Sequence, residues 1–487
     1  MRLRYFIRVM VAAIALGGIY GCSEGDDATI NIDAPTTTTN NTTTGTPDSG
    51  SGSGSTVSEN CPDWAGAKRR DDDGNDVCAL SATILESRLL TSDIVWLMED
   101  RVTVGNGNRE MSATKGVLAD GSDVVSATLT IEAGTEIKAS GGTFANLVIT
   151  RGSRIQAEGT ASAPIVFSSD DDDYSGSGEW GGLIIHGYGE HNQCPAEACN
   201  IDAEGESGFA GGYTADDNSG TLRYVIVTEG GYEFAPGDEI NGISLVGAGS
   251  GTTMEYLQVN DNSDDGIEFY GGAANVKHIV LTGNLDDSVD WDEGYVGNMQ
   301  YVLVKQSPSG GGNAIEADTE GSAMPLSKPT IANATFVTDS DDETEALVFK
   351  AASGGFLHNS VITTAPGFTL LEDCVDVSRA TDNANALVFN NIIADCAAEG
   401  TGNFYKGGTV KGMESNIHMV EAELDENYAS QAAEALLDAP IDWADYNAMN
   451  SESTADPDYL DATDYLGAVN PDGSDLWYQG WIIEGSL

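Results

Sequence analysis

Between positions 241 and 318 the chain repeats one short apolar–polar phrase. Asp265-Gly266-Ile267-Glu268-Phe269-Tyr270, Asp287-Ser288-Val289-Asp290-Trp291-Asp292 and Asn313-Ala314-Ile315-Glu316-Ala317-Asp318 lie over one another, with an upstream copy at Asn241-Gly242-Ile243-Ser244-Leu245-Val246. A second phrase runs between the copies, opening at Leu222, Met254, Val276 and Met299, with fainter copies from Ile331 and Leu357. Period-two alternation predicts a strand for each phrase. Two strand phrases in every period of about 20–30 residues predict an all-β solenoid, in which each coil buries its apolar positions on the next.

The pattern extends to both sides. Leu129-Thr130-Ile131 through Ala139 recurs as Leu147-Val148-Ile149 through Ala157, with Gly134 and Gly152 at the turns. Ile165-Val166-Phe167 and Leu183-Ile184-Ile185 continue it, separated by the acidic run Asp170 to Asp173. Residues 193–218 are too long for a coil turn and predict a protruding loop. The tetrads Ala346-Leu347-Val348-Phe349 and Ala386-Leu387-Val388-Phe389 mark later coils. Near the start, Trp96, Leu97, Val102 and Val104 are candidates to cap the open end of the core, as terminal repeats must. After position 400 the pattern changes. Residues 419–437 read as helix-like, and the aromatic segment around Tyr459, Tyr465, Trp477 and Trp481 is expected to close the C-terminal end.

The first residues give an address. Arg2, Arg4 and Arg8 precede a short apolar run that ends at Cys22, the pattern of an export signal and too short for a permanent span. Ile19-Tyr20-Gly21-Cys22 resembles a bacterial lipobox, which implies cleavage before Cys22 and lipidation of its thiol. Ser23 rather than Asp follows, which resembles the pattern of lipoproteins bound for the outer membrane of a Gram-negative bacterium. The Thr/Asn and Gly/Ser runs up to position 60 lack the apolar area to fold and read as a tether.

Charge narrows the function. Against 78 acidic residues stand 21 basic ones, a formal charge of −57 in 487 residues. Nucleic acid is excluded as a partner by like-charge repulsion, and so is unaided contact with acidic polymers. Cation binding or a salty habitat fits better. Of seven cysteines, six form local pairs, Cys61/Cys78, Cys194/Cys199 and Cys374/Cys396, and predict disulfides in an oxidising compartment. Asp72, Gly74 and Asp76, inside the first pair, have the spacing of a calcium loop without its distal Glu.

If the overlay holds, carboxylates stack about 4.8 Å apart in successive coils. Asp265 falls on Asp287; Glu268, Asp290 and Glu316 form a second column; Asp292 and Asp318 form a third. Such stacks need protons, water or cations, and carboxylate oxygens suit Ca²⁺. The candidate metal ligands are therefore Asp264, Asp265, Glu268, Asp286, Asp287, Asp290, Asp292, Glu316 and Asp318, on the outer face; a solvated acidic surface is the alternative. The competing class is an enzyme, with Asp264/Asp265 or Asp286/Asp287 as acid and base on a glycosidic bond. The Gly-His-Gly and Arg-x-Lys sets of polygalacturonase-like enzymes are missing, no catalytic residue can be assigned, and His278 reads as an occupant of the Tyr224/Tyr256/Tyr301 column. Binding is favoured over catalysis: a tethered module contacting a glycan or an outer-membrane protein partner, with Tyr270, Trp291 and Tyr295 either stacking on sugars or closing core edges.

Gly178-Glu179-Trp180-Gly181-Gly182, the run from Asp217 to Val225, Asn241 to Thr252, Asp264 to Gly272, Asn284 to Gly294 and the closing Tyr465-Leu466-Gly467-Ala468 with its tryptophans resemble a family of exported, often lipid-anchored proteins of Bacteroidetes and marine proteobacteria. The resemblance covers roughly residues 127–487. It implies a right-handed parallel β-helix at the outer membrane or cell surface, and says little about chemistry. The expected layout is a signal over residues 1–21, a tether over 22–60, an N-terminal cap region over 61–126, the β-helix over 127–400 and a short helical and aromatic cap over 401–487.

Overall fold

The computed structural model describes residues 57–171, 173–194, 198–236, 239–307, 310–320, 323–338, 345–368, 371–380, 387–396, 403–407 and 414–487. The signal, Cys22 and most of the tether lie outside these residues. The rest coils as a right-handed parallel β-helix. One sheet runs through Leu147–Ile149, Leu183–His186, Ile243–Val246, Ile267–Tyr270, Val289–Asp292, Ile315–Ala317 and Glu345–Ala351. Its inward column is unbroken from Leu147 through Leu183, Ile243, Ile267, Val289 and Ile315 to Leu347. Trp291 and Tyr295 are buried in this interior, and Tyr295 stacks on Phe269 at 4.2 Å. They are thus core residues and offer no platform for a sugar, because Trp291 shares the inward phase of Val289 two residues earlier.

The second sheet holds the longer strands Gly220–Thr228, Thr253–Asn260, Asn275–Thr282, Asn298–Lys305, Thr330–Thr338, Gly355–Thr364 and Leu387–Asp395. Each bends at one residue of left-handed φ: Tyr224 (50°), Tyr256 (56°), His278 (61°) and Tyr301 (59°), then Asn333 (52°), Asn359 (49°) and Asn391 (59°). A non-glycine residue there costs about 1–2 kcal/mol, which contacts along the column offset. The rings stack at 4.4, 4.4 and 4.6 Å, with His278 between Tyr256 and Tyr301 as the sequence suggests. The asparagines tolerate this backbone and link up: Asn391 Nδ2 donates to Asn359 Oδ1 at 2.9 Å.

Coiling begins earlier than position 127. Asp76–Ala79 and Ile94–Met98 already pair in parallel with each other and then with Glu136–Ala139. These strands are short, so their alternation is weak in the sequence. Trp96 is a core residue of these coils, and Trp64 stacks on it at 5.3 Å to cover the open end. All three disulfides form, Cys61–Cys78, Cys194–Cys199 and Cys374–Cys396. In the Asp72/Gly74/Asp76 turn, one of the expected ligands is held by protein groups. Its Asp76 carboxylate accepts from Asn60 Nδ2 and the Glu59 amide and pairs with Arg70 at 2.9 Å.

The C-terminal region differs most from expectation. Residues 419–437 are turns and isolated bridges with one 3₁₀ turn, Ala433–Ala435; among the described residues the α-helix is Trp443–Met449, capped by Asp442, which accepts from the Asp445 amide at 3.0 Å. Rather than closing the end, the tail runs lengthwise over the long-stranded sheet. The Asp461 amide donates to Gln300, the Ala468 amide to Thr335 and the Ile483 amide to Gln258. Trp481 meets the rings of Tyr224 and Tyr256 edge-on. The sheet's outward Ile226, Val280 and Leu303 would otherwise face water; they are buried with Trp477 and Trp481, and that burial overrides the local helix periodicity.

Candidate metal centre

Four successive coils of the first sheet, those of Ile243, Ile267, Val289 and Ile315, open with an Asx residue. Asn241 Oδ1 accepts the Asp265 amide at 3.2 Å, Asp265 Oδ1 accepts the Asp287 amide at 3.0 Å, and Asp287 Oδ1 accepts the Asn313 amide. One oxygen in each side chain therefore ties its coil to the next. The overlay is confirmed in register: Glu268 pairs with Asp290 and Asp290 with Glu316.

The column is not open surface. Asp265 and Asp287 are 6% and 5% exposed, and Asp264 and Glu268 are also buried; Asp286, Asp290, Asp292, Glu316 and Asp318 are half-buried. The loop of residues 193–218, expected to protrude, accounts for one side. Arg151, fully buried, donates to the Gly107, Arg109 and Cys199 carbonyls at 2.8, 3.0 and 2.7 Å and draws the loop onto the coils. Arg101 donates to the Gly205 and Glu206 carbonyls. Glu204 is thereby brought over the strand, where it accepts from the Asn241 amide at 2.9 Å and from Ser244 Oγ. Next to Asp286 and Asp287 the backbone itself covers the site. A Cβ on Gly312 would stand 2.5 Å from Asp287 Oδ1 and 2.7 Å from Asp286 Oδ1, so only glycine lets the chain pass this close.

Two groups of carboxylates converge, Asp264/Asp265/Asp286 and Asp265/Asp287/Asp290, each with ligand oxygens within 4.8 Å of one another. Oxygens bound to one Ca²⁺ at about 2.4 Å can lie at most about 5 Å apart, so each group fits the sphere of a single ion, with Asp265 common to both. The other sequence candidates sit beside these groups and are engaged elsewhere. Glu268 accepts from Tyr270 Oη and Asn241 Nδ2. Glu316 pairs with Lys350 Nζ. Asp292 and Asp318 accept the amides of Glu293 and Thr319.

Burial raises the Asp265, Asp287, Asp290 and Glu268 carboxyls well above their ordinary range. Like charges add to it: Asp264 foremost on Asp265, Glu316 on Asp287, Glu268 on Asp290 and Glu204 on Glu268. Burial also raises Asp292, with Asp318 beside it. For Lys350, burial favours the neutral amine but Glu316, Asp290 and Asp287 outweigh it and hold the charge. Lys277 and Lys305, the cations nearest in sequence, lie instead under the tail, where Lys277 pairs with Asp461 at 3.0 Å and Lys305 donates to the Ser486 carbonyl.

Sequence reasoning missed Lys350, Glu204 and the amide-accepting role of the Asx column. Lys350 was findable. Ala317 pairs with Phe349, so the residue after the Ala-Leu-Val-Phe tetrad continues the phase of Asp318. Glu204 reaches the column only through the fold of the long loop.

Residues 117–482 match the family model of a pectate-lyase-like β-helix domain. No curated protein and no solved structure matches the chain. The matched span takes in the coils from the third onward, the carboxylate column and nearly all of the covering tail, and on this the chain belongs to the pectate-lyase-like β-helix domain family.

Proposed function

We propose that this protein is an exported, lipid-anchored β-helix of the outer membrane or cell surface that holds Ca²⁺ in its carboxylate column and acts by binding. The observation that carries the calcium reading is the Asx column. Asn241 fills the structural role at the upstream end, accepting the Asp265 amide without charge, and at the other end Asn313 reaches the next coil as a donor, from Nδ2 to the Glu345 carbonyl at 2.7 Å. Asp265 and Asp287 fill it in the two middle coils, where burial penalises the charge and asparagine would do as well structurally. A cation accounts for the acids; hydrogen bonding alone does not. The export signal ending at Cys22 and the three disulfides support an oxidising compartment outside the cytoplasm.

Such an ion has protein oxygens on its buried side and the half-buried Asp286 and Asp290 on the other. Its remaining positions suit a carboxylate of an acidic glycan, which the bare protein at −57 would repel. Calorimetric Ca²⁺ titration tests the first step: wild type binds, and an Asp265→Asn/Asp287→Asn double variant binds at least tenfold more weakly. Equal binding by the two removes the column as a site. Binding of acidic glycans on an array, lost in chelator, tests the second.

A polysaccharide lyase or glycoside hydrolase is the second reading. The family description favours it, and so do buried carboxyls whose raised pKa suits a proton donor. Release of unsaturated products or reducing ends from acidic glycans would establish it.

A further inference from the structure

A second acidic group lies apart from the column, where the turn after Ile165–Ser169 meets Glu229, the residue that follows Gly220–Thr228. One ligand oxygen each of Asp171, Asp173 and Glu229 lies within 4.8 Å of the other two. The aspartates are exposed, whereas Glu229 is 0% exposed. Its Oε2 accepts the Ser169 amide at 3.1 Å; its Oε1 has no hydrogen-bond partner, nor has the buried Ser169 Oγ beside it. The backbone fixes Glu229 in place: its amide donates to the Asn260 carbonyl and its carbonyl accepts from the Glu179 amide. A buried carboxylate oxygen aimed at two further carboxylates, with no donor of its own, calls for a proton or a cation, and the convergence of three carboxylates favours the cation.

The sequence has the matching form. Asp171, Asp173 and Ser175, followed by Gly176 at φ 132°, reproduce the opening spacing of a calcium loop. Asp173 already orients the turn by accepting from the Ser175 amide at 2.9 Å and from Ser175 Oγ. The loop's distal carboxylate comes from Glu229, in a later coil.

We infer that Asp171, Asp173 and Glu229 form a separate Ca²⁺ site that ties the Asp170–Asp173 turn to the coil corner at Glu229. It neither uses nor requires the Asx column. Burial, with Asp171, Glu179 and Asp173 nearby, pushes the Glu229 carboxyl up to about 7 in the metal-free protein, consistent with an acid built to face a cation.

Tyr174, 39% exposed and next to Asp173, supplies a local reporter, because a tyrosine beside bound Tb³⁺ sensitises its luminescence. The full chain, freed of metal with chelator, is titrated with Tb³⁺ and competed with Ca²⁺. The expected result, read in the Asp265→Asn/Asp287→Asn background where the column with its own Tyr270 and Trp291 is disabled, is saturable luminescence displaced by Ca²⁺, abolished by Tyr174→Phe and weakened about tenfold or more in apparent affinity by Glu229→Gln. Asp173→Asn, at an exposed position, provides a second variant should Glu229→Gln fail to fold. In that background, titrations of Glu229→Gln or Asp173→Asn that superimpose on the parent overturn the site, as does luminescence that survives Tyr174→Phe. Loss of Ca²⁺ binding at the column with this signal intact would refute the column alone.

Discussion

Asp287→Asn isolates the charge of the column from its hydrogen bond. Asparagine keeps an oxygen to accept the Asn313 amide and changes the volume little, so packing is preserved. With Asp265, Asp287 and Asp290 oxygens up to 4.8 Å apart, each ionised pair repels by about 3.5 kcal/mol at an effective dielectric constant of about 20. Asp287 takes part in two such pairs, so full ionisation would load it with about 7 kcal/mol. Holding a proton instead, at about pH 7, costs about 4 kcal/mol, since an unfolded-chain Asp is then about three units above its ordinary pKa, at about 1.4 kcal/mol per unit. Protonation is the cheaper escape and sets the scale. In chelator at about pH 7, Asp287→Asn should be more stable than wild type by up to about 4 kcal/mol, falling to about 1.5 kcal/mol at about pH 5. The sign follows from the raised carboxyls: above the ordinary carboxylate range the folded chain holds more protons than the unfolded one, so metal-free stability falls as pH rises. Ca²⁺ at about a hundred times its dissociation constant should restore about 2.7 kcal/mol more to wild type than to the variant, which keeps the groups that do not use Asp287. Urea unfolding followed by tryptophan fluorescence reads all of these quantities. If wild type and variant share one stability and one pH profile in chelator, or gain equally from Ca²⁺, the electrostatic account of the column is wrong.

Arg151→Met should loosen residues 193–218, because it leaves the Gly107, Arg109 and Cys199 carbonyls without their buried donor; limited proteolysis should cut that loop first, with a stability loss of about 3 kcal/mol or more. Trp481→Ala should remove the edge contacts on Tyr224 and Tyr256, cost about 3–5 kcal/mol, and expose the tail beyond position 476 to carboxypeptidase.

The register of the acidic column was legible because each phrase couples its acids to an apolar residue at fixed phase: once Ile267, Val289 and Ile315 are stacked, Glu268, Asp290 and Glu316 follow. The same alternation points Trp291 inward, which decides between the two roles the sequence left open for it. Burial of the column was not legible. It depends on Arg151 and Arg101, both N-terminal to the loop, folding Glu204 over a strand that opens at Ile243, and no local pattern encodes such a contact. The course of the tail was hidden for a similar reason. Its aromatic residues announce a cover, but what they cover is decided by the outward Ile226, Val280 and Leu303, whose own strands read as ordinary alternation.

A stack of coils that touch only their neighbours can peel from either end, one turn at a time. The tail denies this protein that route. Ile483 is bonded to Gln258, Asp461 to Gln300, Ala468 to Thr335 and Gly467 to Asn359, so a single strap laces coils far apart in the stack. Fraying among the strapped coils must strip contacts from the middle, and those coils should melt as one body instead of unzipping.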